Sequence, residues 1–192
     1  MKPRFAHAAA LAVAESLIAA LAPGCERIEI AGSLRRRKAT VGDVELLYIP
    51  RRGEAVAPGE MLASPCDFSS IAIADLEATG RLARRLKSTG AETFGERNKL
   101  ILDVASGIPV DLFATDAASW FNYLVCRTGG AESNVEIAKR AKARGYRWNP
   151  YGAGFTRLSD GEVFAMSSEA EVFAFVGLPY REPWEREAGK IP

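Results

Sequence analysis

Apolar positions in the first 115 residues recur at two spacings, which predict helices and strands in turn. A helical repeat runs through HAAALAVAESLIAAL and predicts a helix that Pro23 and Gly24 end. Residues 70–88 show the same repeat and predict another helix, with Gly80 as its weak point. Apolar runs predict strands, and the stretch RRGEAVAPGE predicts a polar connection. The predicted strands read RIEIAG, DVELLYI, KLILDV and IPVDLFAT, the last two forming a hairpin around ASG.

The pattern changes from residue 116 onwards. DAASWFNYLVCR and AESNVEIAKRAKARG predict two helices, the second ending at Gly145. Short strands are predicted around residues 152–157 and 162–165, on either side of the turn SDG, and SSEAEVFAFVG predicts a last helix that begins at its serines. The sequence therefore predicts an α+β protein. A lobe with a mixed β-sheet and flanking helices covers residues 1–115, and a smaller α/β lobe covers residues 116–192.

Composition limits the class of protein. The chain has 192 residues, 48% hydrophobic and 26% charged, with a net charge of +1, which is typical of a soluble protein with one or two lobes. The charge argues against a protein that coats a polyanion along its whole surface. Three distant cysteines and a single histidine argue against a zinc site or a disulfide framework, and favour a reducing, cytoplasmic location.

The N-terminal segment resembles a secretory signal in composition. Its helical pattern continues past Glu15 to Leu21, however, so we expect a structural helix here. The sequence shows no run approaching the roughly 20 apolar residues that a membrane span needs, and we expect no membrane partner.

Residues 31–50, AGSLRRRKATVGDVELLYIP, concentrate the candidate chemistry. Gly32 would let a phosphate approach the backbone, Ser33 would add a hydroxyl donor, and Arg36 would offer a forked contact to phosphate oxygens. Asp43 and Glu45 lie two apart on a predicted strand, so both project to one face. Two carboxylates on one face favour a hard divalent cation such as Mg²⁺. The alternative is a solvated cluster of salt bridges at a strand edge.

A third carboxylate, Asp111, lies between apolar residues in IPVDLF, where an unpaired acid would be costly to bury. If the sheet places Asp111 beside Asp43 and Glu45, the three acids could hold two Mg²⁺ ions for phosphoryl transfer. Asp103 and Asp116 compete for this role. We rank both lower, because Asp103 precedes a turn and Asp116 is placed to cap a helix.

These residues and their order along the chain resemble the DNA polymerases of family X. The resemblance begins with AGSLRRRKATVGDVELL as the palm motif and GIPVDLF as the strand of the third acid. It continues with CRTGGAESNVEIAKRAKARGYRWNPYG as the nucleotide-binding turn and helix of the thumb, and VGLPYREPWERE as the C-terminal signature. It covers roughly residues 5–188. It implies a nucleotidyltransferase-like palm over residues 1–115 and a thumb-like domain over residues 116–192.

The resemblance implies a role for each matching residue. Asp43, Glu45 and Asp111 would be the catalytic acids and bind two Mg²⁺ ions, with Mn²⁺ as an alternative. The remaining matches would bind the nucleotide: Gly32, Ser33, Arg36 and Gly42 at the triphosphate, Cys126, Thr128 and Gly129 at the sugar, and Asn134 at the base. Asn134 could equally be an ordinary helix residue.

Four features depart from the family's pattern. Glu45 stands where the family usually has an aspartate. Cys126 and Arg127 replace an aromatic pair that helps to exclude ribonucleotides, so sugar discrimination is expected to be weak. Pro109 replaces a residue that is often basic. We also expect a minimal palm-plus-thumb enzyme, because the sequence shows no counterpart of the family's lyase and helix-hairpin-helix regions.

The expected function is DNA-directed nucleotidyl transfer. Deoxynucleotides from dNTPs would be added to a DNA 3′-OH with release of pyrophosphate, on primer-template or gapped DNA. We expect a distributive, repair-type monomer with repair proteins as partners, in the cytoplasm, at the nucleoid or at a viral replication site. Basic residues could contact DNA through residues 35–38 and through one helix, or could simply be solvated. Those of the helix region are Lys139, Arg140, Lys142, Arg144 and Arg147.

Two alternatives remain open from the sequence. One is a nucleotidyltransferase with another acceptor, or with untemplated or ribonucleotide activity. The other is a non-catalytic nucleic-acid-binding subunit.

Overall fold

The computed structural model describes residues 3–56, 59, 61–86 and 89–186. The strands are β1 Phe5–Ala6, β2 Cys25–Ile30, β3 Thr40–Val41, β4 Val44–Pro50, β5 Arg52–Ala55, β6 Ser64–Asp67, β7 Leu82–Arg84, β8 Asn98–Asp103, β9 Ile108–Ala114, β10 Tyr146–Trp148, β11 Gly154–Arg157 and β12 Val163–Ala165. The helices are α1 His7–Leu21, α2 Gly32–Arg35, α3 Phe68–Ala78, α4 Trp120–Thr128, α5 Ala131–Ala143 and α6 Glu169–Phe175. This is the mixed α+β fold that the sequence predicts.

A five-stranded sheet in the order β2-β4-β9-β8-β7 organises the N-terminal lobe. Strands β4 and β9 are parallel, and the other neighbouring pairs are antiparallel. The sheet is therefore mixed, and the predicted hairpin of β8 and β9 is confirmed.

One face of this sheet is the core of the N-terminal lobe. Alternate residues of β4, namely Val44, Leu46 and Tyr48, are buried there against α1 and α3. Helix α1 contributes buried residues three or four positions apart, which places them on a single stripe. These are Ala10, Ala14, Leu17 and Leu21. The pattern of the first helix is thus explained by packing on the sheet.

The same helix, with the turn that follows it, is long and apolar enough to cross a membrane. The window His7–Gly24 has a mean hydropathy of 1.4, and 28% of it is buried. Length and composition alone give this result, and core helices of soluble proteins share both. The structure shows in addition that the buried stripe of α1 packs on the sheet.

Two local predictions were wrong. The helix predicted over residues 70–88 ends at Ala78, because Gly80 adopts a φ of +73° that reverses the chain. Leu82–Arg84 then forms β7 and pairs with β8, while residues 87 and 88 lie outside the described residues. The predicted polar connection contains strand β5, which pairs with β6. Residues 57, 58 and 60 of that connection also lie outside the described residues.

The C-terminal lobe consists of α4, α5, a three-stranded sheet in the order β10-β11-β12, and α6. Its helices match the predicted ones, whereas β10 was missed because it is only three residues long. A second buried cluster holds this lobe together, with Phe155 stacked on Phe175 at a centroid distance of 4.3 Å. Trp120 and Trp148 are buried.

The two lobes meet through apolar side chains and a buried charge network. Leu47 and Phe113 of the sheet pack against Trp120, Tyr123 and Leu124 of α4. Next to this cluster, Glu169 accepts hydrogen bonds from Arg35 of α2 and from Arg186, whose side chain is 0% exposed. Burial alone would raise the pKa of Glu169, but the bonds and charges of the two arginines outweigh it and hold the pKa below its ordinary value.

Removing this carboxylate should therefore destabilise the protein strongly. We expect Glu169→Ala to lower the free energy of unfolding by about 3–5 kcal/mol at neutral pH, because the buried Arg186 and the partly buried Arg35 lose their carboxylate partner. Urea denaturation followed by tryptophan fluorescence measures this. The difference should shrink in acid, because the contribution of a carboxylate with a lowered pKa is lost as the pH falls through that pKa.

The matched control is Glu162→Ala. Glu162 also pairs with an arginine, Arg157, but its side chain is 56% exposed. This variant should unfold at nearly the same urea concentration as the wild type. Equal effects of the two substitutions would contradict the role of burial.

Candidate active site

The three predicted acids lie on or beside two neighbouring strands. Glu45 of β4 is directly paired with Asp111 of β9 in the parallel register. Asp43 immediately precedes β4. Because paired residues of adjacent strands project to the same face, Glu45 and Asp111 both point away from the main core. The sheet thus places the two acids side by side, as the sequence predicts.

The same register continues across the sheet in both directions. On one side, the Ala31 N–H donates to the Glu45 carbonyl at 2.8 Å. On the other side, Asp111 pairs with Leu100 of β8, whose carbonyl accepts from the Arg85 N–H at 3.0 Å. We call the face of the sheet that points away from the main core the open face. The line of residues across it is called the acidic row: Ala31, Glu45, Asp111, Leu100 and Arg85.

The chain after β2 passes very close to the acidic row. Gly32 begins α2 with a φ of +63°, and a Cβ at this position would lie 2.3 Å from Glu45 Oε2. Only glycine combines that backbone conformation with such a close approach. Gly32 therefore places the backbone of α2 directly beside a carboxylate.

A cleft of about 360 Å³ opens between α2, the acids and the start of α5. Eight of the predicted site residues line it, and Arg127, Gly130, Ala131 and Tyr151 line it as well. The eight are Gly32, Ser33, Arg36, Asp43, Glu45, Cys126, Gly129 and Asn134. Their binding roles stay predictions, but the fold brings them together from both lobes.

The other three predicted residues do not line the cleft. Asp111 lies next to it in the acidic row and is bonded by Arg85. Thr128 is fully buried, where its hydroxyl accepts from Arg35 at 2.8 Å and its carbonyl accepts from Arg36 at 2.5 Å. Gly42 lies near the Arg4 guanidinium, 3.8 Å from a Cβ built on it.

Asn134 has a local partner within the C-terminal lobe. Its Nδ2 donates to the Cys126 carbonyl at 2.8 Å, which ties the start of α5 to the end of α4. Its Oδ1 is buried without a hydrogen-bond partner among the described residues. Both readings of this residue, base contact and helix residue, remain compatible with its position.

The two acids that we ranked lower have structural roles. Asp103 is buried and accepts from the Ser106 N–H and hydroxyl in the β8–β9 turn. Asp116 accepts from the Ser119 N–H at 2.8 Å, at the start of α4. Asp103 thus stabilises the turn that it precedes, as the sequence indicated, whereas Asp116 bonds to Ser119, which is itself the N-cap residue of α4.

The negative charge of the site's carboxylates is only partly compensated by nearby arginines. Burial, with the charges of Asp43 and Asp111, raises the pKa of Glu45 to about 7, although Arg127 and Arg36 oppose the shift. Burial and the charge of Asp43 also raise the pKa of Asp111, against the effect of Arg85. Desolvation and like-charge repulsion therefore act together on both groups.

This donor set fits a divalent cation in its chemistry. Carboxylate oxygens are the ligands that Mg²⁺ prefers, and a cation would relieve the repulsion between the acids. Among the described residues, however, no three acidic, histidine or cysteine side chains are grouped closely enough to hold a metal ion. Metal binding by Asp43, Glu45 and Asp111 accordingly stays a prediction.

Two site residues could not be assigned from the sequence. Arg127 lies 3.5 Å above the Phe113 ring and 5.4 Å from the Tyr151 ring, so its charge is held at the cleft by aromatic faces. The substitution of Arg127 for an aromatic was visible, but its contacts were not. Arg85 was hidden because it lies in a segment predicted to be helical.

Comparison with known proteins finds similar DNA polymerases. The family model described as DNA polymerase beta thumb matches residues 123–187. DNA polymerase lambda from Rattus norvegicus is 26% identical over 171 residues, a match that covers 81% of this chain. Both matches agree with the resemblance of this chain to family X of the DNA polymerases. It spans 28% of the length of the rat relative.

Solved structures show the same fold. Leishmania infantum polymerase beta in a ternary P/T complex matches with a TM-score of 0.72 and 19% identity, over 96% of this chain and 77% of that one. The ternary gap complex of the same protein matches with a TM-score of 0.74 and 18% identity, over 96% and 71%. The chain therefore shares the overall fold of these two structures.

The close approach at Gly32 leads to a prediction. Gly32→Ala should weaken binding of a Mg²⁺-nucleoside triphosphate by about tenfold or more, because the new methyl group must displace the Glu45 carboxylate. Fluorescence titration with a labelled nucleotide measures the affinity.

Gly107→Ala is the control. Gly107 has a φ of +69°, but a Cβ there would meet nothing within 4 Å. Both variants should lose about 1–2 kcal/mol of stability through backbone strain. If the Gly107 variant also lost nucleotide affinity, general destabilisation would explain the result.

Proposed function

We propose that this protein is a member of family X that transfers nucleotides from deoxynucleoside triphosphates to a DNA 3′-OH and releases pyrophosphate. The observation that carries the proposal is the pairing of Glu45 with Asp111, directly beside a cleft lined by Gly32, Ser33 and Arg36. This arrangement combines an acidic site for cations with backbone, hydroxyl and guanidinium groups for an anion. A triphosphate that binds together with divalent cations requires both the acidic groups and the anion-binding groups.

The cleft residues would bind the triphosphate and orient it. The Gly32 backbone can approach phosphate oxygens because no side chain intervenes, and Ser33 adds a hydroxyl donor. Arg36 is held at the cleft by its bond to the Thr128 carbonyl. Little conformational entropy is therefore lost in orienting its guanidinium when a triphosphate binds. Arg127 adds a second positive charge on the opposite lobe.

Asp43, Glu45 and Asp111 would hold the metal ions, Mg²⁺ by the preference of carboxylates and Mn²⁺ as a substitute. When bound, such ions activate the attacking hydroxyl and neutralise charge on the leaving pyrophosphate. The contribution of the chain is to hold the three acids on adjoining segments of one rigid sheet.

A DNA partner is supported by the solved relatives. The two structures of Leishmania infantum polymerase beta are named as ternary primer-template and gap complexes. In the present protein the open face of the sheet continues past Asp111 with partly buried apolar residues, which leaves room for a strand of nucleic acid. They are Ala83, Leu100, Leu102 and Pro109.

The modest net charge of +1 favours weak, salt-dependent binding and therefore distributive synthesis. Action as a monomer in cytoplasmic DNA repair, together with repair proteins, belongs to the same proposal.

A second candidate function is favoured by one observation. Cys126 lines the cleft where the family often has an aromatic residue. Its smaller side chain blocks the 2′-hydroxyl of a ribonucleotide less than an aromatic ring would. Ribonucleotide use, untemplated addition or another acceptor is therefore the competing activity. Primer extension with deoxy- and ribonucleotides, on templated and single-stranded primers, separates these activities.

The acids should be essential if the proposal is correct. We expect Asp43→Asn and Asp111→Asn each to lower pyrophosphate release by about 10²-fold or more, because each removes a charge that would bind a metal ion. Primer extension with purified protein and Mg²⁺ measures this directly.

Asp160→Asn serves as the control, since Asp160 is exposed in the β11–β12 turn and does not line the cleft. It should retain wild-type activity. Wild-type activity in the Asp43 or Asp111 variant would remove that acid from the mechanism.

Sugar selectivity gives a further prediction. We expect the wild type to prefer deoxy- over ribonucleotides by less than about 10²-fold in kcat/KM, because a pocket without a blocking side chain rejects an added hydroxyl poorly. Cys126→Tyr should raise this ratio by about tenfold or more, while Cys126→Ser, which preserves the size, should leave it unchanged. Single-nucleotide incorporation with each substrate measures the ratio. Strong selectivity in the wild type would show that another group acts as the barrier.

A further inference from the structure

Arg85 lies at the end of the acidic row and touches only one of the acids. Its backbone N–H extends the β7–β8 pairing by donating to the Leu100 carbonyl, so Arg85 and Asp111 flank Leu100 in the same register. From there its guanidinium Nη2 reaches across Leu100 and donates to Asp111 Oδ1. We propose that Arg85 is the positioning residue for Asp111: it holds this carboxylate in the orientation that the nucleotidyl transfer proposed above requires.

Within the part of the chain that the structure describes, the strands next to Asp111 offer no equivalent donor on this face. Pro109 lies two residues before Asp111 on the same strand, and its side chain has no hydrogen-bond donor. Leu100, the cross-strand neighbour, has none either. Arg127 lies over the Phe113 ring on the side of the cleft and influences Asp111 by its charge. The direct hydrogen bond to Asp111 thus comes from Arg85.

The contact is well placed to fix a side chain. The Asp111 side chain is 17% exposed and that of Arg85 is 30% exposed, so water competes for the bond only partly. A charge-assisted hydrogen bond in such surroundings is about twice as strong as a neutral one. The guanidinium bonds to Oδ1, which leaves the second carboxylate oxygen for another partner.

Arg85 would act through Asp111 rather than on the nucleotide. It does not line the cleft between the two lobes. Its loss should therefore lower kcat and leave KM for the nucleotide nearly unchanged. Hydrogen-bonding partners of metal-binding side chains typically contribute about 10- to 100-fold to activity or to metal affinity. Because the positive charge of Arg85 also repels a cation at Asp111, we expect its contribution in activity.

The neighbouring Arg84 is a natural control. It is the same residue type, one position earlier, and it pairs with Glu77 at 2.9 Å and with Glu92 at 3.5 Å. Because successive residues of a strand project to opposite faces, Arg84 points away from the acidic row.

The experiment compares Arg85→Gln, Arg85→Lys and Arg84→Gln with the wild-type full chain. Steady-state primer extension gives kcat and KM, and electron paramagnetic resonance of free Mn²⁺ gives the metal affinity of the protein without nucleotide. Arg85→Gln should lower kcat by about tenfold or more and bind Mn²⁺ at least as tightly as the wild type, because a repelling positive charge is removed. Arg85→Lys should recover part of kcat, and Arg84→Gln should match the wild type.

Each other outcome overturns the proposal. Unchanged kcat in Arg85→Gln would show that Asp111 needs no positioning. Weaker Mn²⁺ binding together with lower kcat would show a merely structural role, since a distorted site loses both. Failure of the proposed function looks different: the wild type itself would then release no pyrophosphate, while the Mn²⁺ titrations would still report whether Arg85 acts on the acids.

Discussion

The pairing of Glu45 with Asp111 on parallel strands is the interaction on which the rest of the site depends. It places two partly buried carboxylates side by side, with Asp43 close enough to raise the pKa of both. Such an arrangement is costly in free energy unless positive charge compensates it. The structure supplies this charge from three directions, by Arg85 along the row and by Arg36 and Arg127 at the cleft. Metal ions bound at such a site would take over part of the charge compensation that the arginines provide.

The junction between the lobes gives the cleft its shape. Thr128 ends α4 and is bound through its hydroxyl by Arg35 and through its carbonyl by Arg36, the two basic residues that follow Ser33 and Leu34. Glu169 of α6 then ties Arg35 to Arg186. The segment that would contact a phosphate is thus also the segment that holds the C-terminal lobe. Movement of that lobe would change the position of Arg36, because both depend on the same short helix.

Much of the fold was predictable, because local patterns agree with tertiary packing. In DVELLYI, alternate side chains point to α1 in the core, and those between them point to the site on the other face of the sheet. The hairpin around ASG forms as its turn residues require. The prediction over residues 70–88 failed because an apolar repeat cannot show that Gly80 ends the helix and that the next residues join a sheet edge. Eight of the eleven predicted site residues share one cleft, whereas the Thr128 side chain is buried in the lobe junction. The roles of all these residues await experiment.

The sequence by itself determined the acids, the Gly-Ser turn before them and the family resemblance, because these depend on residue types at short spacings. Only the tertiary structure decided which arginine bonds to Asp111 and which carboxylates lie side by side. Arg85 and Asp111 are 26 positions apart, and their contact exists because β7, β8 and β9 align in one register. Register is set by the cooperative packing of a whole sheet, and no short stretch of sequence contains that information.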